Sequence, residues 1–259
     1  MNNAQHINST QLYSSNKTAP IIEIKNLTKG FGKLEVLKGV TMNLYKGENL
    51  VVLGKSGSGK SVLIKCIVRL LTADSGTIHA LGKEVSSLNR SNLRELRKKI
   101  RFLFQSGALY DSMTVKQNLE FALRRTRKEL TEQELGEKVN AVLENVGLSD
   151  VLHKMPSELS GGMRKRISLA RTIVIDPEIM LYDEPTTGLD PVTSDEISLL
   201  INEVQEKYKT SSIIITHDIA CARTNANRVI MLLDGTNYME GSLEMFEKST
   251  DPNIKPFFK

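Results

Sequence analysis

A glycine-rich segment, GKSGSGKS, follows the apolar run NLVVL and precedes a second apolar stretch. Its spacing fits GxxxxGK[ST], in which backbone N–H groups surround phosphate oxygens and the lysine reaches the terminal phosphates. The hydroxyl of Ser61 can bind the Mg²⁺ that accompanies a nucleotide. A chance glycine turn is disfavoured, because a strand and a helix flank the segment as this chemistry requires. The candidate nucleotide-binding residues are Gly54, Lys55, Ser56, Gly57, Ser58, Gly59, Lys60 and Ser61.

Two adjacent acids end the apolar segment IMLYDEP. Asp183 can hold Mg²⁺, directly or through water, and Glu184 is placed to act as the general base that polarises an attacking water. Alone, two acids at the end of a strand would indicate only a solvated surface and not a catalytic site. The phosphate-binding segment earlier in the chain favours the catalytic interpretation of this pair.

Two further polar residues follow apolar segments that have the character of strands. His217 comes at the end of SIIITHD, and Gln105 follows RFLF. The carboxyl ends of parallel strands meet at a ligand crevice, so His217 can hydrogen-bond a γ-phosphate and Gln105 can contact Mg²⁺ or the attacking water. Phe31, in KGFGK, can stack on an adenine, although packing of this aromatic ring on the core is a nearly equal alternative.

A second glycine-rich helix start lies in LSGGMRKRISLAR. Free N–H groups at a helix start bind anions, and the residues concerned here are Ser160, Gly161 and Gly162. The chain therefore has two candidate anion sites, and a single nucleotide does not explain both. Guanine nucleotides are disfavoured, because no NKxD motif follows the first glycine-rich segment.

These groups require a frame in which strands and helices alternate. IIEIKNLTK, LEVLKGVTMNLY and ENLVVLG have the patterns of strands, and SVLIKCIVRLL, residues 61–71, has that of a buried helix. Residues 108 to about 155 are predicted to be mostly helical, with a capping box of Thr131 and Glu134. The chain is therefore predicted to be an α/β protein with an inserted helical block.

The bulk composition favours a globular protein with one domain, or one domain and a subdomain. The chain has 259 residues, 40% of them hydrophobic, and its net charge of +5 most simply reflects a lysine-rich solvated surface. Cys66 and Cys221 lack CxxC spacing and are expected to be reduced core residues of a cytosolic protein. No apolar run approaches the roughly 18 residues of a membrane span. Residues 1–20 are polar, lack a secretory signal and are expected to form a flexible tail.

In this order the motifs resemble those of the ATP-binding subunit of ABC transporters, over residues 21–245. The residues that carry the resemblance are the Walker A segment 54–61, Gln105, the signature 159–163, the Walker B strand 179–183, the D-loop 188–190 and His217. The resemblance implies an α/β fold with a P-loop NTPase (ABC ATPase) core and a mixed sheet. It also implies an N-terminal antiparallel β-subdomain, an inserted helical subdomain at about 108–165, and a C-terminal tail at 246–259.

The resemblance also explains the two anion sites. In that family two nucleotide-binding domains pair head to tail, so Ser160, Gly161 and Gly162 of one chain contact the γ-phosphate held by the P-loop of the other. ATP and Mg²⁺ are the implied ligands, and ATP hydrolysis that opens the closed dimer is the implied activity. One P-loop and one signature per chain imply a homodimer with a second copy. The family further implies a separate multi-span permease that docks on the helical block after Gln105.

A finer resemblance is to the ATPases of Mla-type, MCE-associated transporters, which move phospholipid across the Gram-negative envelope. It is carried by QSGALYDSMTV, by Met163 in the signature, by TTGLDP and by the ending DPNIKPFF. It implies lipid transport, an MCE-domain substrate-binding partner, and peripheral attachment to the cytoplasmic face of the inner membrane through the permease. Two departures, Lys55 where proline is common and Phe31 where tyrosine is commoner, leave the expected chemistry intact.

Three other functions remain as alternatives. An ABC transporter ATPase for a different substrate shares every motif given above. A soluble ABC ATPase acting on nucleic acid or ribosomes is disfavoured, because ribosome-type chains usually carry two cassettes and DNA-repair types carry long insertions; no nucleic-acid partner is expected. A nucleotide-gated binding module without turnover is disfavoured, because Glu184 supplies the base that such a module would lack.

Overall fold

The computed structural model describes residues 19–258, so most of the predicted tail, residues 1–18, lies outside the described residues. The strands are β1 (Ile22–Phe31), β2 (Leu34–Leu44), β3 (Asn49–Leu53), β4 (Ser75–Ala80), β5 (Lys83–Glu84), β6 (Ile100–Leu103), β7 (Ile179–Asp183), β8 (Ser211–Thr216), β9 (Arg228–Leu233) and β10 (Thr236–Gly241). The α-helices are α1 (Lys60–Ile67), α2 (Arg90–Lys99), α3 (Val115–Thr126), α4 (Glu132–Asn145), α5 (Gly161–Ile173), α6 (Pro191–Tyr208), α7 (Ile219–Asn225) and α8 (Leu243–Glu247). Within the described range, no helix has both the length and the apolar character needed to cross a bilayer.

A six-stranded sheet, in the order β10-β9-β3-β8-β7-β6, forms the centre of the molecule. Its strands pair in parallel except for β10, which returns antiparallel along β9, so the sheet is mixed. Side chains of β3 alternate between two hydrophobic clusters: Val51 and Leu53 join one, Leu50 and Val52 the other. Because both faces are covered, the parallel strands appear in the sequence as continuous apolar runs. The carboxyl ends of these strands meet at one edge, which carries the candidate site.

A four-stranded antiparallel sheet, in the order β2-β1-β4-β5, covers one face of the central sheet. Its buried residues share a cluster with α1, α2 and the central strands; Ile24, Val40 and Ile78 are examples. The N-terminal antiparallel β-subdomain predicted from the sequence is therefore confirmed.

Helices α3, α4 and α5 pack on the opposite face of the central sheet. The predicted capping box begins α4: Thr131 Oγ1 accepts from the Glu134 amide at 3.3 Å, and Glu134 Oε2 accepts from the Thr131 amide at 2.8 Å. The predicted helical block is thus present. Its boundaries at about 108 and 165, and the start of a C-terminal tail at 246, stay predictions.

The helix predicted for residues 61–71 is shorter than its apolar pattern indicates. α1 ends at Ile67, and Arg69 then adopts a φ of 50°. Arg97 of α2 donates from Nε to the Val68 carbonyl and from Nη2 to the Arg69 carbonyl, each at 2.9 Å. These bonds satisfy carbonyl groups just beyond the helix end, and a contact between residues so far apart in sequence is not visible in a local pattern.

Both cysteines are buried and free, as the sequence predicts. Burial raises the pKa of the Cys66 thiol to about 11 and that of the Cys221 thiol to about 12. Since the thiolate is the reactive form, both groups are protonated and unreactive at neutral pH.

Candidate active site

The loop 54–59 runs from the end of β3 directly into α1. Gly54 has no room for a side chain, because a Cβ there would lie 2.5 Å from the Leu232 carbonyl oxygen. Gly59, the N-cap of α1, has a φ of 101°, which glycine adopts without strain. The glycines therefore allow a tight turn into a helix start, where free N–H groups can bind phosphate.

Lys60 is 5% exposed, and its ammonium group lies against the loop that precedes it. Nζ donates to the carbonyls of Gly54 at 2.7 Å and Lys55 at 3.1 Å, and lies 3.4 Å from Glu184 Oε1. A buried charge requires partners of this kind. The two carbonyl bonds hold the loop in its turn, while the ion pair joins α1 to the end of β7.

Ser61 and Asp183 form a second link between α1 and β7. The Ser61 hydroxyl donates to Asp183 Oδ1 at 2.8 Å, and Asp183 is 5% exposed. A hydroxyl and a carboxylate are the hard oxygen donors that Mg²⁺ prefers, and Mg²⁺ usually takes few protein ligands besides substrate phosphates and water. The pair therefore fits a magnesium ion that arrives with a nucleotide. The described residues contain no group of three or more His, Cys, Asp or Glu side chains suited to a metal.

Glu184 follows the last residue of β7 and has a φ of 49°, a left-handed conformation that non-glycine residues rarely adopt. Its amide donates to the Ile215 carbonyl of β8 at 3.0 Å. Its Oε2 accepts from the Thr187 hydroxyl and the His217 amide, each at 3.3 Å, and lies 2.8 Å from His217 Nδ1. The neighbouring parallel strands β7 and β8 thus bring a carboxylate and an imidazole together. Backbone strain held by such contacts is concentrated at active sites.

These groups meet in one cleft of about 770 Å³. The predicted residues that line it are Lys55, Ser56, Gly57, Gly59, Lys60, Ser61, Gln105, Glu184 and His217. Gly54, Ser58 and Asp183 do not line the cleft, but each forms a hydrogen bond with a residue that does. The bonds join Gly54 to Lys60, Ser58 to Lys55 and Asp183 to Ser61. The cleft combines a buried cation, helix-start N–H groups and a carboxylate beside an imidazole, which is a set suited to binding phosphate and activating water.

Sequence reasoning missed three residues of the cleft: Val36, Val62 and Thr187. Thr187 could have been proposed from the sequence, because it lies only three residues after the predicted base Glu184. In the structure, its amide donates to the Glu184 carbonyl at 3.3 Å. Val36 had none, since β2 reaches the cleft only through the packing of the antiparallel sheet on α1.

Phe31 is not among the residues that line this cleft. It ends β1 and is 48% exposed, with the Lys29 ammonium 5.3 Å from the centre of its ring. At this exposure the ring is not a fully buried core side chain. The predicted adenine contact stays a prediction.

The second glycine-rich helix start is also separate from this cleft. Ser160 is the N-cap of α5 and accepts from the Met163 amide at 3.2 Å, while Gly161 and Gly162 form the first turn. A Cβ on Gly162 would lie 2.6 Å from Thr193 Cγ2, so α5 begins in close contact with α6. Ser160 and Gly161 are exposed. The two glycine-rich helix starts of one chain therefore do not line a common cleft.

Two curated proteins match this chain over most of its length. The probable ribonucleotide transport ATP-binding protein mkl of Mycobacterium leprae is 39% identical over 236 residues, which cover 91% of this chain and 68% of that protein. The chloroplastic protein TRIGALACTOSYLDIACYLGLYCEROL 3 of Arabidopsis thaliana is 36% identical over 259 residues, covering 93% of this chain and 74% of that protein.

Solved structures and a family model agree with the fold. A dimeric, post-hydrolysis structure of the ATP-binding cassette MJ0796 with ADP and Pi has a TM-score of 0.77 and 31% identity, covering 86% of this chain and 98% of that one. CbiO1 from Clostridium perfringens, part of the ABC transporter complex cbiONQ, has a TM-score of 0.81 and 30% identity, covering 89% and 92%. The predicted ABC ATPase fold and the predicted ATPase activity are confirmed. Because the ABC transporter family model matches residues 37–187, this chain belongs to the ABC transporter family, as an ATP-binding subunit that hydrolyses ATP.

Proposed function

We propose that this ATPase drives the transport of phospholipid between membranes of a cell envelope. The observation that carries the proposal is the 36% identity, over 93% of the chain, to the Arabidopsis protein named after trigalactosyldiacylglycerol, a lipid. The Mla-type motifs QSGALYDSMTV, TTGLDP and DPNIKPFF give the same indication. Transport of another substrate is the second candidate, because the mycobacterial relative is named for ribonucleotide transport.

In the proposed reaction, N–H groups of the loop 54–59 and the Lys60 ammonium bind the phosphates of ATP. Ser61 and Asp183, with Gln105 from the facing loop, would hold Mg²⁺, which when bound offsets charge on the β- and γ-phosphates. The close contact between the Ser61 hydroxyl and Asp183 Oδ1 supports this assignment.

Glu184 is proposed to be the general base. Its Oε2 is held by Thr187 and His217, while Oε1 faces Lys60 at 3.4 Å. A γ-phosphate offers Lys60 a second anionic partner, so Oε1 becomes available to accept a proton from water. His217 orients the Glu184 carboxylate and can also donate to the γ-phosphate.

Two copies of the chain are proposed to pair head to tail. Ser160, Gly161 and Gly162 then close the cleft of the partner copy, which accounts for the exposure of Ser160 and Gly161 and for the separation of all three from the cleft of their own chain. The dimer in the MJ0796 structures supports this arrangement. ATP held between two helix starts favours the closed dimer, and loss of the γ-phosphate favours opening.

A multi-span permease is proposed to hold the dimer at the cytoplasmic face of the inner membrane, together with an MCE-domain protein. CbiO1 is part of an ABC transporter complex, which supports a permease partner. The chain also has a groove of about 250 Å³ between β6 and the last turn of α5, which we propose as the docking site. Its lining includes the exposed Leu70 and the cations Arg97, Arg101 and Arg171.

Phe31→Ala is expected to weaken ATP binding by about 5- to 100-fold, the weight of one base stacked on an aromatic ring. Binding of inorganic triphosphate, which has no base, should not change. Fluorescence titration of both ligands measures the difference. Leu34→Ala, at an exposed position of the same hairpin, is the matched control. An unchanged ATP affinity in Phe31→Ala would exclude the adenine contact.

A pull-down of the tagged chain from detergent-solubilised native membranes tests the function. The expected result is a multi-span permease, an MCE-domain protein and phospholipid in the eluate. A permease with a bound nucleotide or other solute, and without lipid, would identify a different substrate. Ribosomes or nucleic acid without a membrane protein would support the soluble alternative.

Groove variants provide the specificity control for this pull-down. Leu70→Asp places a charge in the proposed docking groove, and Leu199→Asp places the same charge on the exposed face of α6. Both positions are exposed, at 48% and 56%, so both variants should fold. Recovery of the permease should be lost with Leu70→Asp alone.

A further inference from the structure

Lys165 is a buried lysine that the reaction proposed above does not use. It lies on α5 and is 6% exposed, and its Nζ donates to the Gln105 carbonyl at 2.5 Å. Burial lowers the pKa of Lys165, while the carboxylates of Asp183 and Glu184 act in the opposite direction. The ammonium group thus lies within the electrostatic field of both Asp183 and Glu184.

The same face of α5 holds the loop after β6 at two more points. Arg171 Nη1 donates to the Ala108 carbonyl at 2.7 Å. Gly107 lies so close to Ser168 that a Cβ on Gly107 would be 2.4 Å from Ser168 Oγ. Lys165, Ser168 and Arg171 follow one another at intervals of three residues, which puts them on one side of the helix. The loop 105–108 is therefore attached to α5 along its length.

This attachment joins two parts of the proposed reaction. At one end of the loop, Gln105 lines the cleft that contains Lys60 and Glu184. The helix to which the loop is attached, α5, begins directly after Ser160, the residue proposed to close the partner's cleft. A tilt of α5 would move Gln105, because the ammonium bond is short and its donor is buried.

We propose that Lys165 is a positioning residue, whose bond to the Gln105 carbonyl keeps Gln105 in place while α5 engages the partner copy. A lysine suits this task, because its unbranched side chain is long enough to span two elements and its ammonium group makes a charge-assisted bond. The inference rests on the proposed roles of Gln105 and of the head-to-tail dimer.

Lys165→Met keeps the length of the side chain and removes the donor. The expected result is a loss of ATP turnover of about 10- to 100-fold, the effect of losing one hydrogen bond from a charged group. ATP affinity should stay within about threefold of the parent, because the P-loop is untouched. The Mg²⁺ concentration for half-maximal turnover should rise, since Gln105 is a proposed metal contact. Lys165→Arg, which keeps a charged donor, should restore most of the turnover.

Lys138→Met is the matched control. Lys138 is also a lysine of the helical block that holds another segment, through a 2.9 Å bond to Asp176 Oδ2, but Asp176, unlike Gln105, does not line the cleft. Lys138→Met should leave ATP turnover and the Mg²⁺ concentration for half-maximal turnover near those of the parent. Lys165→Gln, with a neutral donor, is the second variant if methionine lowers the yield of folded protein, and its turnover should be intermediate.

Combining Lys165→Met with Gln105→Ala decides whether Lys165 acts through Gln105. The double variant should be no slower than Gln105→Ala alone, whereas additive losses would overturn the inference. Parent-like turnover of Lys165→Met beside a slow Gln105→Ala would overturn the inference and leave the proposed role of Gln105 intact. Parent-like turnover of Gln105→Ala would overturn that role and the inference with it.

Discussion

Glu184→Gln is expected to slow ATP hydrolysis by about 10²- to 10⁴-fold, the usual weight of a positioned general base. Glutamine has nearly the same shape, so the contacts with Thr187 and His217 can persist while the carboxylate that accepts a proton is lost. ATP binding should remain, because Lys60 and the loop 54–59 are unchanged. The variant should therefore accumulate as an ATP-bound closed dimer, which size-exclusion chromatography with and without ATP would detect.

Glu178→Gln is the matched control for this prediction. Glu178 precedes β7 as Glu184 follows it, but its carboxylate pairs with Lys99 at 2.7 Å on the exposed side of the molecule. The ATP turnover of Glu178→Gln should equal that of the parent. If Glu184→Gln also hydrolyses ATP at the parent rate, Glu184 is not the base.

Mixing two inactive variants is expected to restore ATP hydrolysis. Lys60→Ala removes the buried cation and should weaken ATP binding by at least about tenfold. Ser160→Asp keeps a good N-cap for α5, because aspartate caps as well as serine, but sets a negative charge against the partner's phosphate. In the mixed dimer, one cleft combines an intact P-loop with an intact signature.

A dimer that contains one copy of each variant has one intact cleft of two, so about half of the parent turnover per dimer should return when only such mixed dimers are measured. Turnover is measured after the two chains have been co-expressed with different tags and purified through both. Ser160→Asn, a neutral cap of similar size, controls for the charge and should be far less impaired than Ser160→Asp. If the doubly tagged dimer is as inactive as Lys60→Ala alone or Ser160→Asp alone, the cleft is not shared between copies.

Local motifs made much of the site predictable. The loop 54–59 and the two acids at the end of β7 are each contiguous in sequence, and apolar runs identify the strands that carry them. His217 and Gln105 required one more step, the rule that parallel strands end at a common edge. The structure places both beside Lys60 in the cleft.

Other features depend on contacts between distant residues and were not predictable. The positive φ of Glu184 occurs where its amide bonds to the neighbouring strand β8, and Arg97 of α2 bonds to the Val68 carbonyl just beyond the end of α1. Lys165 looks like a solvated cation in a helix that contains several others. Its burial and its bond to Gln105, 60 residues away, appear only when α5 packs against the loop after β6.

The two buried, protonated thiols have a practical consequence for site-specific labelling of the chain. Neither Cys66 nor Cys221 should compete for a maleimide or nitroxide reagent at neutral pH. The natural chain can therefore be labelled without first removing its two cysteines, and one cysteine introduced at exposed Leu199 would be the single labelled position per copy. Pulsed spin-label distances between the two labels would record subunit approach during nucleotide turnover without a redesigned core.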